Sequence, residues 1–341
     1  MRRFSCLLGM VCAGLAACSV ALAEQQPQEV LAAMNEALAS LSYEGEFLHI
    51  ADGHIERLHI FHRVRDGQVL EHLISESGTG REVIRNGDEL QCYLPRERKV
   101  IVETRAEPGT LLGTLPVFSR GLESSYRVAL AGHERSSIGK DAQLLAIIPR
   151  DAYRFGYRVW IDSESKMPVR TDLVDAHGRV LEQVMFSKLT VGGPLYSNLF
   201  KPVVDATGFE WIRQGGGTSG QPASNTQWQV GHLPPGFQLT SSGSQAAADG
   251  RASVTHLVLS DGLASMSVFI EELPSPPRQA WSGEGRIGAA SVSSHRVANH
   301  QVTVVGEVPA GAVQWVASGV RAPGAAVDSL GAPTARSIES P

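Results

Sequence analysis

The 341-residue sequence predicts an α+β chain built mostly of antiparallel β-sheet. Stretches with period-2 alternation follow one another from Tyr43 onward, with little helical periodicity between them. The breaks are hairpin-turn chemistry: Asp52-Gly53, Asp66-Gly67, Asn86-Gly87 and Asp261-Gly262. A glycine-rich run from Gln214 to Pro222 then divides the chain in two.

Taken in order, Met1-Arg2-Arg3 is a short basic region and Phe4 to Ala17 an apolar one too short to span a bilayer. Ala21-Leu22-Ala23 is a small-x-small cleavage site. This reads as a signal peptide, with cleavage after Ala23 favoured. Leu15-Ala16-Ala17-Cys18 offers a competing lipobox, in which Cys18 would be acylated. Three of the four cysteines fall in this segment, so cleavage leaves Cys92 alone, expected as a small buried hydrophobe in a strand. The net charge of −5 becomes more negative once Arg2 and Arg3 are removed, which argues against nucleic acid as a general partner.

Pro27 to Leu41 predicts an amphipathic helix, its stripe formed by Val30, Leu31, Met34, Leu38 and Leu41. Strands are expected at Tyr43–Ile50, Ile55–Val64, Gln68–Ser75, Arg81–Arg85, Glu89–Leu94 and Lys99–Glu103. Pro108 to Leu122 interrupts them with an apolar loop or short helix, and strands resume at Tyr126–Leu130 and Gln143–Pro149. Phe155 to Leu189 is a three-strand meander with turns at Asp162–Lys166 and Asp175–Gly178. Roughly nine or ten strands in succession must curl or close to avoid long edges. The helix and the insertion then either plug a half-closed barrel around an apolar cavity or fill the space as core.

Beyond the glycine run, strands are expected at Phe237–Ser241, Ser253–Ser260, Ala264–Glu271, Ser291–Val297 and Gln301–Val308, with a helix over Ala310 to Val320. The organisation is a signal peptide over 1–23, a first domain over 24–210, a linker over 211–227, a second domain over 228–321 and a disordered tail over 322–341.

Candidate chemistry is sparse. His49, His54, His59, His62 and His72 cluster, but His59 and His62 are an odd number apart on one strand and point to opposite faces. Solvated strand faces are therefore preferred to a metal site. Gly283 to Gly288 matches G-x-G-x-x-G without a βαβ context and reads as a loop. Arg96, Arg98, Lys99 and Arg105 form either an anion-binding patch or a charge-protected edge strand. No G-x-S-x-G, Walker loop, H-E-x-x-H or defensible carboxylate pair is present, so no enzyme activity and no cofactor are expected.

A resemblance sharpens this reading. Tyr43-Glu44-Gly45-Glu46-Phe47, Ile60-Phe61-His62-Arg63-Val64, Arg81-Glu82-Val83-Ile84-Arg85 and Pro149-Arg150-Asp151 with Arg154-Phe155-Gly156-Tyr157 resemble the RseB/MucB family. So do Leu233-Pro234-Pro235-Gly236-Phe237, Asp261-Gly262-Leu263-Ala264 with Ser267-Val268-Phe269-Ile270-Glu271, and Val302 to Pro309. The resemblance implies a LolA/LolB-like unclosed β-barrel with covering helices, followed by a smaller C-terminal α/β domain. It also implies a periplasmic regulator of sigma-E that binds the periplasmic region of an RseA/MucA-type anti-sigma factor and shields it from proteolysis. Release would follow binding of lipopolysaccharide, lipid acyl chains or mislocalised lipoprotein. A lipoprotein carrier is the alternative, and a homodimer is left open. Phe47, Leu58, Ile60, Leu73, Ile84 and Trp160 are candidate cavity-lining residues. Phe237, Phe269 and Val304 are candidate supports of the partner-binding domain.

Overall fold

The computed structural model describes residues 26–77, 80–104, 111, 122–214, 227–246, 253–273 and 282–323. The segment expected as a signal peptide, most of the apolar insertion, most of the glycine run and the tail beyond residue 323 lie outside them. The first helix, α1 (Pro27–Ser40), starts with Pro at its first turn, where a missing N–H costs nothing, and carries Glu29 against the positive end of the helix dipole. It buries Val30, Leu31, Met34 and Leu38 of the expected stripe, together with Ala37, while Leu41 caps the helix and packs partly buried against the core.

The strands that follow are β1 (Tyr43–Ala51), β2 (His54–Arg65), β3 (Gln68–Ser75), β4 (Glu82–Asn86), β5 (Glu89–Leu94) and β6 (Lys99–Thr104). After the insertion come β7 (Tyr126–Arg135), β8 (Asp141–Pro149), β9 (Gly156–Asp162), β10 (Pro168–Val174), β11 (Val180–Val191) and β12 (Glu210–Gln214). Among the described residues these twelve strands form one sheet, in the order β12-β6-β5-β4-β3-β2-β1-β11-β10-β9-β8-β7. Two antiparallel meanders are thus joined through β1 and β11, with Tyr43 opposite Val191. The outermost strands, β12 and β7, do not pair with each other, so the barrel is unclosed. Strand β1 carries a bulge at Glu46/Phe47, an irregularity that bends a strand locally. There a Cβ on Gly45 would come within 2.4 Å of the Phe186 ring, which leaves room only for glycine.

Helix α1 packs inside this curve. Val30, Met34 and Leu38 share one buried core with Tyr43, Phe47, Ile60, Leu145, Ile147, Val159, Ile161, Met167 and Phe186. Each such side chain contributes about 1.5–3 kcal/mol by leaving water. The opposite face of β4–β6 holds a smaller core, Ile84, Tyr93, Val100 and Val102, covered by Ala206 and Phe209 of the returning chain.

The second domain contains β13 (Gln229–Val230), β14 (Gln238–Ala246), β15 (Ser253–Ser260), β16 (Ser265–Glu272), β17 (Gly283–Ile287), β18 (Ala290–Val297), β19 (His300–Gly306), α2 (Ala310–Gly319) and β20 (Val320–Arg321). Its main sheet runs β14-β15-β16-β19-β18-β17. Helix α2 lays Ala312, Val313, Val316 and Ala317 over Leu257, Met266, Val268, Val302 and Val304 on one face.

Four expectations change. The G-x-G-x-x-G stretch is the edge strand β17 and its turn rather than a loop, because Gly283 to Ile287 pair with β18. Residues 211–214, assigned to the linker, belong to β12. That strand lies parallel to β6, with Trp211 opposite Val100 and edge-on to Tyr93. Consequently the basic strand Lys99–Thr104 is not an edge; Arg98 instead stacks over Phe209 and Lys99 lies 3.9 Å from Glu210. Cys92 is only half-buried.

Candidate functional site at the domain junction

The histidine cluster resolves into paired groups, and its two central members are not solvated. His62 and His72 are 2% and 1% exposed. Alternation puts them on opposite faces of the sheet, and each finds a carboxylate on a neighbouring strand. His62 Nδ1 lies 2.9 Å from Glu71 Oε1, inside the curve, with its ring stacked on Tyr43. His72 Nε2 lies 3.0 Å from Glu82 Oε2, outside it. Both carboxylates also accept backbone N–H groups from segments that have no ladder of their own. Glu71 takes Leu111, and Glu82 takes Val203 and Val204. These pairs bolt irregular chain onto the sheet, satisfying donors that burial would otherwise strand. For Glu82, burial pushes the pKa up, but the His72 and backbone hydrogen bonds outweigh it and hold the carboxyl below its ordinary value.

The two domains meet at Arg154, between β8 and β9. Its side chain is fully buried, as is that of Asp261 in the β15–β16 turn, to which Nε donates. The remaining guanidinium nitrogens donate to Asp151 and to the Pro235 carbonyl. The rings of Tyr126 and Phe237 lie 5.7 and 4.9 Å from the guanidinium carbon, one from each domain. A planar fork with several donors suits this arrangement, and a lysine would not. Burial opposes the charge on Arg154, yet the bonds and charges of Asp261 and Asp151 prevail and raise its pKa. Asp261 Oδ1 meanwhile accepts Leu263 and Ala264 N–H, fixing the turn. Gly236 (φ +81°) brings the chain so close that a Cβ would sit 2.6 Å from Ser125 Oγ. Leu263 reaches into the core of the first domain and Tyr153 into that of the second.

Beside this lock the junction is polar. A small hollow is lined by Tyr157, Thr171, Leu173, Glu182 and Val184 of the barrel and by Glu307 of the second domain. Leu173 also belongs to a small buried apolar cluster with Phe155 and Ala289. His49 Nε2 lies 2.6 Å from Glu182 Oε1. The hydrogen bond to Glu182 raises the His49 pKa over the opposing effect of burial. Burial, then the Glu182 carboxylate, raises that of Glu307, and burial raises that of Tyr157.

Of the residues singled out from sequence, Phe47, Leu58, Ile60 and Leu73 lie together, buried in the core beneath α1. Ile84 and Trp160 do not join them. Each sits one residue out of phase with inward-facing neighbours (Val83, and Val159 and Ile161), and packs in a separate cluster on the other face. Phe237 lies at the junction and Val304 under α2. Phe269 faces the other side of its sheet, half-buried and stacked on His256 at 4.5 Å. Arg154, Asp261 and Pro235 escaped single-residue reasoning, although all three lie within the stretches that carried the family resemblance. Their partnership spans up to 107 residues of sequence and leaves no local pattern.

Fold and junction together define a two-domain protein in which a half-open antiparallel barrel is ionically locked to a small sheet-and-helix domain. The chain belongs to the MucB/RseB family: the MucB/RseB N-terminal domain matches residues 26–204 and the MucB/RseB C-terminal domain residues 222–321. Among curated relatives, the sigma factor AlgU regulatory protein MucB of Pseudomonas aeruginosa is 30% identical over 292 residues, covering 84% of this chain and 87% of that protein. The sigma-E factor regulatory protein RseB of Escherichia coli is 28% identical over 315 residues, covering 86% and 89%. The solved complex of Pseudomonas aeruginosa MucA and MucB superposes with a TM-score of 0.70 at 29% identity, covering 88% of this chain and 99% of that one. A crystal structure of MucB gives 0.60 at 28% identity, covering 86% and 97%.

Proposed function

We propose that this chain is a periplasmic regulator of a sigma-E-type factor. It binds the periplasmic segment of an RseA/MucA-type anti-sigma factor and protects it from regulated proteolysis. The carrying observation is the match, through both domains, to MucB in complex with MucA(peri), at a TM-score of 0.70 over 88% of this chain. Catalysis has no part in this reading.

Release by lipopolysaccharide or mislocalised lipoprotein follows as linkage. A lipid that favours a conformation unable to hold the segment weakens segment binding by the factor by which the segment weakens lipid binding. Phe47, Leu58, Ile60 and Leu73 are the residues proposed to meet acyl chains when α1 moves aside. Phe237 and Val304 support the partner-binding domain from within, and Phe269 offers it an outward ring. The carrier alternative leaves the second domain and its ionic lock without a use. Export by a signal peptide cleaved near Ala23, with a lipid anchor on Cys18 as the alternative, completes the proposal.

The test is binding of residues 24–341 to the periplasmic segment of the cognate anti-sigma factor, titrated with lipopolysaccharide. Binding that the lipid competes away is expected. Lipid uptake without any segment binding would transfer the protein to the carrier class. A folded Leu58→Glu variant should lose lipid sensitivity and keep segment binding; normal lipid release in that variant would remove Leu58 from the cavity.

A further inference from the structure

The hollow beside the Arg154 lock has a charge problem that the lock does not. Glu182 and Glu307 face it from different domains, and the Glu182 carboxylate is among the causes that raise the Glu307 pKa. Glu182 has His49 as a partner. Among the described residues Glu307 forms no ion pair and accepts no hydrogen bond. The other ionisable groups acting here are Glu56 on β2, which faces His49, and Asp261, whose charge reaches Tyr157. Both are acids, and Asp261 is already paired with Arg154; among the described residues His49 is thus the one cation acting on Glu307, and it is shared with Glu182.

A second observation is independent of the carboxylates. Thr171 is 3% exposed, lines the hollow, and its hydroxyl has no hydrogen-bond partner. A buried hydroxyl left unpaired costs about 1–3 kcal/mol, which an occupant with a donor would recover. The hollow has room for about one water-sized group. A guanidinium fork is too broad for it. Among the described residues no three His, Cys, Asp or Glu side chains converge to hold a metal ion.

We propose that this hollow is a binding site for a single primary ammonium group. Its three N–H donors are met by the Thr171 hydroxyl and the Glu182 and Glu307 carboxylates, so that it bridges the two domains. The size suits an ammonium head, and three converging oxygen acceptors suit its three donors. Two sources carry this chemistry: a lysine side chain of the bound partner segment, or a free primary amine. The lysine source rests on the proposed function; the site itself does not.

The experiment uses the mature full-length chain. Its Tm is measured in methylammonium chloride, sodium chloride and tetramethylammonium chloride at equal ionic strength, for wild type, Thr171→Val and Glu307→Gln. The site predicts a rise with methylammonium alone, lost in both variants. Equal responses to methylammonium and sodium, or a rise that survives both substitutions, overturn the proposal in favour of a water or an inorganic cation. A second arm acetylates the lysines of the anti-sigma segment one at a time. If a lysine is the occupant, one acetylation weakens binding to wild type about tenfold and leaves binding to Glu307→Gln unaffected, as one charge-assisted hydrogen bond would require. A methylammonium response without any sensitive lysine assigns the site to free amines. A segment that fails to bind wild type sinks the proposed function, while the amine arm still decides the site.

Discussion

The two ionic contacts across the domain junction are built on opposite principles. At Arg154 one buried cation meets two carboxylates, a carbonyl and two aromatic faces, and each of its three nitrogens donates within the protein. At the hollow, two carboxylates line one space and a single histidine pairs with one of them. A compensated buried charge is rigid, because any displacement leaves it unpaired in a poor dielectric. An uncompensated cluster shifts with whatever supplies the missing charge. The first contact therefore fixes where the domains touch, and the second governs how firmly they stay together.

Removing the lock should give the largest effect. Arg154→Ala leaves Asp261 buried without its counter-ion, and should destabilise the chain by about 3–5 kcal/mol in denaturant unfolding. Arg154→Lys should recover only part of this, since it lacks the fork. A loss below about 1 kcal/mol for Arg154→Ala would mean that the apolar exchange of Leu263 and Tyr153 holds the junction instead.

Glu82→Ala is a control in the barrel wall, away from the junction. It strands the Val203 and Val204 N–H groups and His72, at about 1–3 kcal/mol for each group left unpaired. Its wild-type contribution has the acid sign. With the folded pKa held below the ordinary carboxylate value of 4.5, the stabilisation is present above that value and lost as pH falls through the lowered one. Acid unfolding midpoints of wild type and Glu82→Gln should converge at low pH.

The hollow should respond in the opposite direction, and more weakly. Glu307 has a raised pKa, so the folded chain holds its proton longer and stability declines as pH rises above 4.5 through the raised value. His49 is also raised, and its contribution is complete below 6.5 and lost as pH climbs past its folded pKa. Both signs agree: the junction tightens in mild acid and loosens toward alkali. Interdomain proximity, followed by a fluorophore pair across the junction, should show this. Glu307→Gln, which mimics the protonated form, should flatten the lower part of the profile and leave the histidine part. Because Glu307 stays open to solvent on one side, salt should blunt the effect.

The finest distinction is not in stability but in release, and it separates the two faces of the barrel wall. Ile60→Ala and Ile84→Ala should each cost about 2–5 kcal/mol in stability, yet only Ile60→Ala should alter lipid-triggered release. Equal effects on release would dissolve the distinction between the core beneath α1 and the cluster on the opposite face.

Much of this molecule was legible in its local chemistry. The α1 stripe, the turns at Asp52-Gly53 and Asn86-Gly87 and most strands are set by spacing and backbone preference, which act within a few residues. What escaped was relational. Gly283 to Ile287 carry no strand pattern and become β17 only because β18 offers a ladder. Residues 210–214 likewise become a strand through β6, about a hundred residues earlier. His62 and His72 read as surface until the carboxylates of Glu71 and Glu82 came alongside.

The sequence by itself determined the two-domain division, the antiparallel class and the family, because these rest on periodicity, turn residues and the order of short stretches. Only the tertiary structure decided that three of those stretches converge on Arg154, and that Glu182 and Glu307 face one another beside Thr171. Burial, charge compensation and unpaired hydroxyls belong to surroundings assembled from distant parts of the chain, and no single stretch contains them.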